Sequence, residues 1–208
     1  MIKIKKLFKE ILLSGLFTLG GAHLVNKNIL VVLAYHSIGY SDWEFSTLPN
    51  VFEKHLKYLK NIGYTFLTAD ELYRILKGQE EAPKKRVLIT FDDGYKDIAI
   101  NALSLLKKYK VPATIFVHSN RSNVSLGNSL ELLSWEDLKF LRDSGLSIED
   151  HSFSPPNLKM LSGVDMESEI TNSENRFKEM LGRKPEFFTY PGGKFNSTII
   201  NVLKNEGY

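Results

Sequence analysis

The sequence predicts an α/β domain with parallel strands. From residue 30 onward, short apolar runs alternate with helical patterns, as expected of strands joined by helical crossovers. Those runs are continuous and rich in β-branched and aromatic residues, which suits strands covered on both faces. With 208 residues, 43% of them hydrophobic and 25% charged, the chain is long enough for one well-buried domain and short for two.

The elements follow in order. Residues 1–29 form a basic and then apolar segment: Lys3, Lys5, Lys6 and Lys9 precede the run from Ile11 to Ala22. That run is too short to span a bilayer as a free helix. It has the layout of a signal peptide. A helix lying on the membrane, or packed against the domain, is the other reading, because no clean small-x-small cleavage site follows. Leu30–Ala34, Val87–Phe91, Ala113–Val117 and Phe187–Tyr190 read as buried strands, and Leu146–Ile148 is a further candidate. Phe52, His55, Leu56, Leu59 and Ile62 recur at helical spacing, as do Ile98, Ala102, Leu105, Leu106 and Tyr109. Thr68 with Glu71, and Ser134 with Asp137, match the capping box that starts a helix, with Gly145 placed to stop the second. Met166, Ile170, Phe177 and Met180 mark one more helix, ended by Gly182.

Composition excludes several functions. The net charge of +3, from 27 basic and 24 acidic residues, owes much to the N-terminal lysines, so no nucleic-acid groove is indicated. The absence of cysteine removes disulfides, Cys-ligated zinc and a thiol nucleophile, and is compatible with either side of a bacterial membrane.

In parallel α/β folds chemistry collects at the C-terminal ends of strands. Asp92-Asp93-Gly94 leaves the Val87–Phe91 strand there. Two acids at one strand exit are costly to bury without a positive partner, for which a metal is the simplest choice. Side chains alternate along a strand, so one carboxylate can hold the metal while the other faces substrate as a base. A plain Asp-Gly turn is the alternative. His151 follows the strand candidate at Ile148 and is a possible metal ligand, or a structural histidine. Tyr190-Pro191-Gly192-Gly193 exits another strand; its glycines let backbone N–H groups approach a ligand oxygen, or simply make a turn.

Together these segments resemble the NodB-homology polysaccharide deacetylases, carbohydrate esterase family 4. Thr90-Phe91-Asp92-Asp93-Gly94 matches the first motif of that family, His151-Ser152 opens the second, and Phe188-Thr189-Tyr190-Pro191-Gly192-Gly193 is similar to the third. Leu33-Ala34-Tyr35-His36-Ser37-Ile38 and Ser134-Trp135-Glu136-Asp137-Leu138 resemble the branch acting on extracellular N-acetylglucosamine polymers. The resemblance covers residues 30–208 and implies a distorted, incomplete (β/α) barrel. It also implies hydrolytic removal of N-acetyl groups from an N-acetylhexosamine polysaccharide or oligosaccharide with one divalent metal, zinc foremost. Asp92 would be the general base, Asp93 and His151 metal ligands, and the Gly192 backbone N–H an oxyanion donor. Such an enzyme acts in the cell envelope or outside the cell, with the cytoplasmic membrane face as the alternative.

The match has gaps. The family places a second histidine four residues after the first, where this chain has Pro155. Asp93 and His151 would then fall below the three protein ligands usual for catalytic zinc. Asp150, Ser154 or Asn157 are candidate substitutes, though oxygen donors favour a different ion. Thr189 stands where many members carry an arginine, and Gly192 where an aromatic is usual. Members of the family continue past the position of Tyr208 with further strands and a late histidine acting as general acid. The expectation is therefore a truncated domain with exposed sheet edges and a tendency to associate. His36 and His118 lie at predicted strand ends and either face the site or play structural roles. Two other functions compete: a catalytically inactive glycan-binding remnant, and a magnesium-dependent phosphatase using Asp92 as nucleophile, for which no phosphate motif stands out.

Overall fold

The computed structural model describes residues 30–121, 126 and 129–208. The basic, apolar segment 1–29 lies outside the described residues. Among the described residues, no helix is long and apolar enough to cross a membrane.

The architecture is the expected parallel α/β one, part of a (β/α) barrel. Strands β1 (Leu30–Tyr35), β5 (Arg86–Phe91), β6 (Thr114–Val117) and β7 (Ser147–Asp150) lie side by side in that order, and β4 (Thr65–Leu67) pairs with the first half of β5. Every pairing in this sheet is parallel. The two-residue strands β2 (Ser37–Ile38) and β3 (Ser46–Thr47) form a separate pair just after β1.

The helices bury the faces their spacing predicts. Helix α1 (Pro49–Asn61) turns Phe52, Leu56 and Leu59 into the core. Helices α2 (Ala69–Leu76) and α4 (Trp135–Asp143) both start with a complete capping box, Thr68 with Glu71 and Ser134 with Asp137. Each box satisfies two N–H groups that would otherwise be orphaned at the helix start. The stripe from Ile98 to Tyr109 is divided into a π-helical turn, Ile98–Ala102, and helix α3, Leu103–Tyr109. Helix α5 (Gly163–Leu181) ends at Gly182 in the left-handed conformation.

The core is one cluster between the sheet and its helices, with Val87, Ile89, Phe91, Ile115, Val117 and Ile148 fully buried on the strands. A smaller cluster joins α5 to helix α6 (Ser197–Glu206) through Met166, Ile170, Ile199 and Leu203.

The run Phe187–Tyr190 does not form a full strand. It contributes one parallel bridge, Asp150 with Phe188, beside β7. Buried Glu149 holds it there, accepting from the backbone N–H groups of Glu186 and Phe187 at 2.8 and 3.1 Å and from the Arg183 guanidinium at 2.7 Å. This clamp sets Thr189 next to His151.

Candidate active site

The site forms where β5, β6 and β7 end side by side. Asp92 and Asp93 follow β5, His118 follows β6 and His151 follows β7. Beyond the formal strands the β6 and β7 backbones stay in register: His151 N–H donates to Val117 O at 2.9 Å and Ser119 N–H to Ser152 O at 3.1 Å. His118 lies between those two bonds, so its ring meets that of His151, with centroids 4.6 Å apart.

The turn carrying Asp93 is tight. Asp93 (φ 67°) and Ser152 (φ 75°) both adopt the left-handed region, uncommon for residues with a Cβ and concentrated at functional sites. Gly94 (φ 70°) has no room for a side chain, since a Cβ would stand 2.7 Å from Val117 Cγ1. Arg121 braces the turn by donating to the carbonyl oxygens of Asp93 at 2.7 Å, Gly94 at 2.6 Å and Leu133 at 2.9 Å.

Asp93, His118 and His151 each offer one ligand atom, all within 4.8 Å of one another. Asp93 Oδ1 lies 3.2 Å from His118 Nε2 and 3.6 Å from His151 Nε2. Donors about 2.0–2.1 Å from a tetrahedral zinc are roughly 3.4 Å apart, so both spacings fit a divalent ion. The state of the His151 ring fits as well. Burial and the neighbouring His118 outweigh Asp93 and push the His151 pKa down to about 3, keeping the ring neutral. Its Nδ1 lies 3.0 Å from the Thr189 carbonyl oxygen, which can only accept, and 2.6 Å from the Thr189 hydroxyl. Nδ1 therefore carries the hydrogen and Nε2 is left bare to bind a metal. Burial alone would raise Asp93, but the hydrogen bond from His118 and the favourable electrostatic surroundings of the imidazoles lower it overall.

Asp92 behaves differently. Burial, reinforced by the adjacent Asp93 charge, raises its pKa to about 7. Its Oδ1 is buried without a hydrogen-bond partner among the described residues. A carboxylate with that affinity and a vacant acceptor suits proton transfer near neutral pH.

The structure thus brings Asp93 and His151 together, keeps Asp92 beside them, and adds His118 as a third donor where the motif reading found only two. Pro155 is exposed. None of the three oxygen substitutes joins the cluster. Asp150 instead accepts from Ser152 N–H at 2.8 Å, Ser173 Oγ at 2.6 Å and Tyr208 Oη at 2.5 Å. Ser154 Oγ donates to Glu169 at 2.8 Å, and Asn157 Oδ1 is buried with no partner among the described residues. Gly192 (φ 62°) sits in the turn Pro191–Gly193, three positions past the Thr189 contact.

Fold and site together define a (β/α)-barrel domain with a carboxylate–imidazole centre at its strand exits. The chain belongs to the polysaccharide deacetylase family, whose model matches residues 79–208. It is 34% identical over 179 residues to the YxkH protein of Bacillus subtilis (strain 168), covering 86% of this chain and 62% of that protein's length. The poly-β-1,6-N-acetyl-D-glucosamine N-deacetylase of Staphylococcus aureus (strain MRSA252) is 28% identical over 227 residues, covering 91% of this chain and 78% of that enzyme. Among solved structures, IcaB from Ammonifex degensii superposes with a TM-score of 0.78 at 28% identity, covering 86% of this chain and 81% of its own. The Streptococcus pyogenes deacetylase PplD in complex with acetate gives 0.75 at 29% identity, covering 86% and 80%.

Proposed function

We propose that this chain is a metal-assisted N-deacetylase acting on a polysaccharide containing N-acetylglucosamine, poly-β-1,6-N-acetylglucosamine foremost, in the cell envelope or outside the cell. The convergence of Asp93, His118 and His151 on one point, with Asp92 beside it, is the observation that carries this reading. The staphylococcal enzyme's name supports the choice of substrate.

Asp93, His118 and His151 would hold the ion. A divalent metal held there would lower the pKa of water and polarise the acetamide carbonyl. Asp92 takes the proton of the attacking water; its raised pKa makes it basic enough to do so near neutrality. Thr189 fixes the His151 ring through Nδ1. The backbone N–H of Gly192 would face the oxyanion as the amide carbon becomes tetrahedral. The new bond joins water oxygen to the acetyl carbon, the C–N bond breaks, and the proton taken by Asp92 passes to the leaving nitrogen, giving a glucosamine unit and acetate.

The test is acetate release from a β-1,6-linked N-acetylglucosamine pentamer by the zinc-loaded full chain. Activity lost on Asp92→Asn, with zinc binding retained, supports the roles given. Zinc binding without any acetate release would favour a glycan-binding remnant instead.

A further inference from the structure

We propose that the loop between β2 and β3 is a sugar-binding platform, on which Trp43 and Phe45 stack against an N-acetylglucosamine ring adjoining the unit being deacetylated. This rests on the deacetylase reading above. The platform is continuous with the site. Trp43 packs on buried Tyr95, two positions beyond Asp93, with ring centroids 5.1 Å apart. The His36 ring lies 5.8 Å from Trp43 and 5.2 Å from Phe45, which are themselves 5.3 Å apart. His36 in turn acts electrostatically on both Asp93 and His151.

Phe45 is 45% exposed. An exposed aromatic is ordinary; the bracing of its loop is what sets this one apart. The β2 end of the loop is tied to the segment that follows Asp93, and the β3 end is tied in turn to β2. Asp97 accepts from Ser37 Oγ at 2.5 Å and from Ile38 N–H at 3.2 Å. Asn101 donates to Ile38 O at 2.7 Å, and the buried Ser37 and Ser46 hydroxyls are bonded at 2.9 Å. Gly39 N–H closes the loop on Thr47 O at 2.9 Å. A side chain at Gly39 would stand 2.7 Å from the Asp97 carboxylate, so the loop hugs its brace. A rigid aromatic surface loses little entropy on binding. The C–H face of a pyranose ring is apolar and slightly positive, matching the negative face of an aromatic ring, while its hydroxyls stay in water.

The experiment follows tryptophan fluorescence of the full chain during titration with a β-1,6-linked N-acetylglucosamine pentamer, with zinc and with a chelator. The chain has two tryptophans; Trp135 is buried against Phe177 with centroids 5.5 Å apart, so Trp43 is the reporter. The expected result is a saturable change that Phe45→Ala weakens about tenfold and Phe45→Tyr preserves. Phe140→Ala, which removes an exposed aromatic from α4, should leave it unaltered. Acetate release by Phe45→Ala should fall through KM with kcat kept. Native-like binding by Phe45→Ala, or no pentamer binding by the native chain, overturns the platform. Phe45-dependent binding in a chain that releases no acetate would leave the platform standing and remove the catalytic reading.

Discussion

Replacing His118 tests the site most directly, because Asp93 and His151 have motif matches whereas His118 is assigned to the metal by geometry alone. His118→Gln is the suitable change, since His118 is only 1% exposed and glutamine fills most of its volume. The substitution exchanges an imidazole donor for an amide oxygen, a much weaker zinc ligand, and removes the imidazole contact at 3.2 Å that holds Asp93. Changes to groups that merely orient a ligand cost about 10–100-fold in metal affinity. Loss of a direct donor should cost at least the upper figure, ~100-fold or about 3 kcal/mol. Zinc affinity is read by competition with a chromophoric chelator, alongside thermal unfolding of the metal-free forms to check the fold. Pro155→His, made separately, should change zinc affinity by no more than about threefold, because its position is exposed and the third place is already filled. Unchanged zinc affinity in His118→Gln would refute the assignment, and a large gain in Pro155→His would show that the site lacked a donor.

Three further outcomes follow from the same geometry. Glu169 accepts from Ser152 Oγ at 2.9 Å, from Ser154 Oγ at 2.8 Å and from Ser154 N–H, so Glu169→Ala should free the loop after His151 and cost about 2–3 kcal/mol in denaturant unfolding. Gly94→Ala should cost a further 1–3 kcal/mol or so, through its left-handed φ and the Val117 contact, visible as a lowered Tm. Buried Asp150 has its pKa raised from 3.8 to about 7, chiefly by burial. Its protonated form therefore favours the fold, and that stability is complete below about pH 4 and lost as pH rises through about 7. Asp150→Asn can keep all three hydrogen bonds and should remove this loss, on the order of 4 kcal/mol, seen by comparing denaturation midpoints on either side of that range.

Much of this was legible in the sequence. Strands β1, β5, β6 and β7 sit within a few residues of the apolar runs, and both capping boxes form as written. Local chemistry specified these elements: a β-branched run, or a hydroxyl three residues before a carboxylate, carries its own instruction. The failures are non-local. Phe187–Tyr190 has strand composition but gains only one bridge, because Glu149, Arg183 and the Glu186 and Phe187 amides fix its approach to β7. Trp43 and Phe45 carried no signal, since an aromatic in a loop acquires meaning only through its neighbours. The short strands β2 and β3 were equally silent, being set by hydroxyl and Asp97 contacts rather than by periodicity.

His118 explains why a motif can misjudge a centre. The family pattern seeks two histidines in one loop, and by that measure Pro155 empties a ligand position. The ion, however, would be held at a place in space, at the common exit of β5, β6 and β7, which are neighbours in the sheet. Parallel strands ending together direct residues from each toward the same rim, so an imidazole just past β6 can reach the point that one further along the β7 loop would otherwise serve. The backbone bonds from His151 to Val117 and from Ser119 to Ser152 make the exchange possible, because they hold the two exits in register. The sheet thus carries the requirement for three donors, and the loop motif is only one way of meeting it.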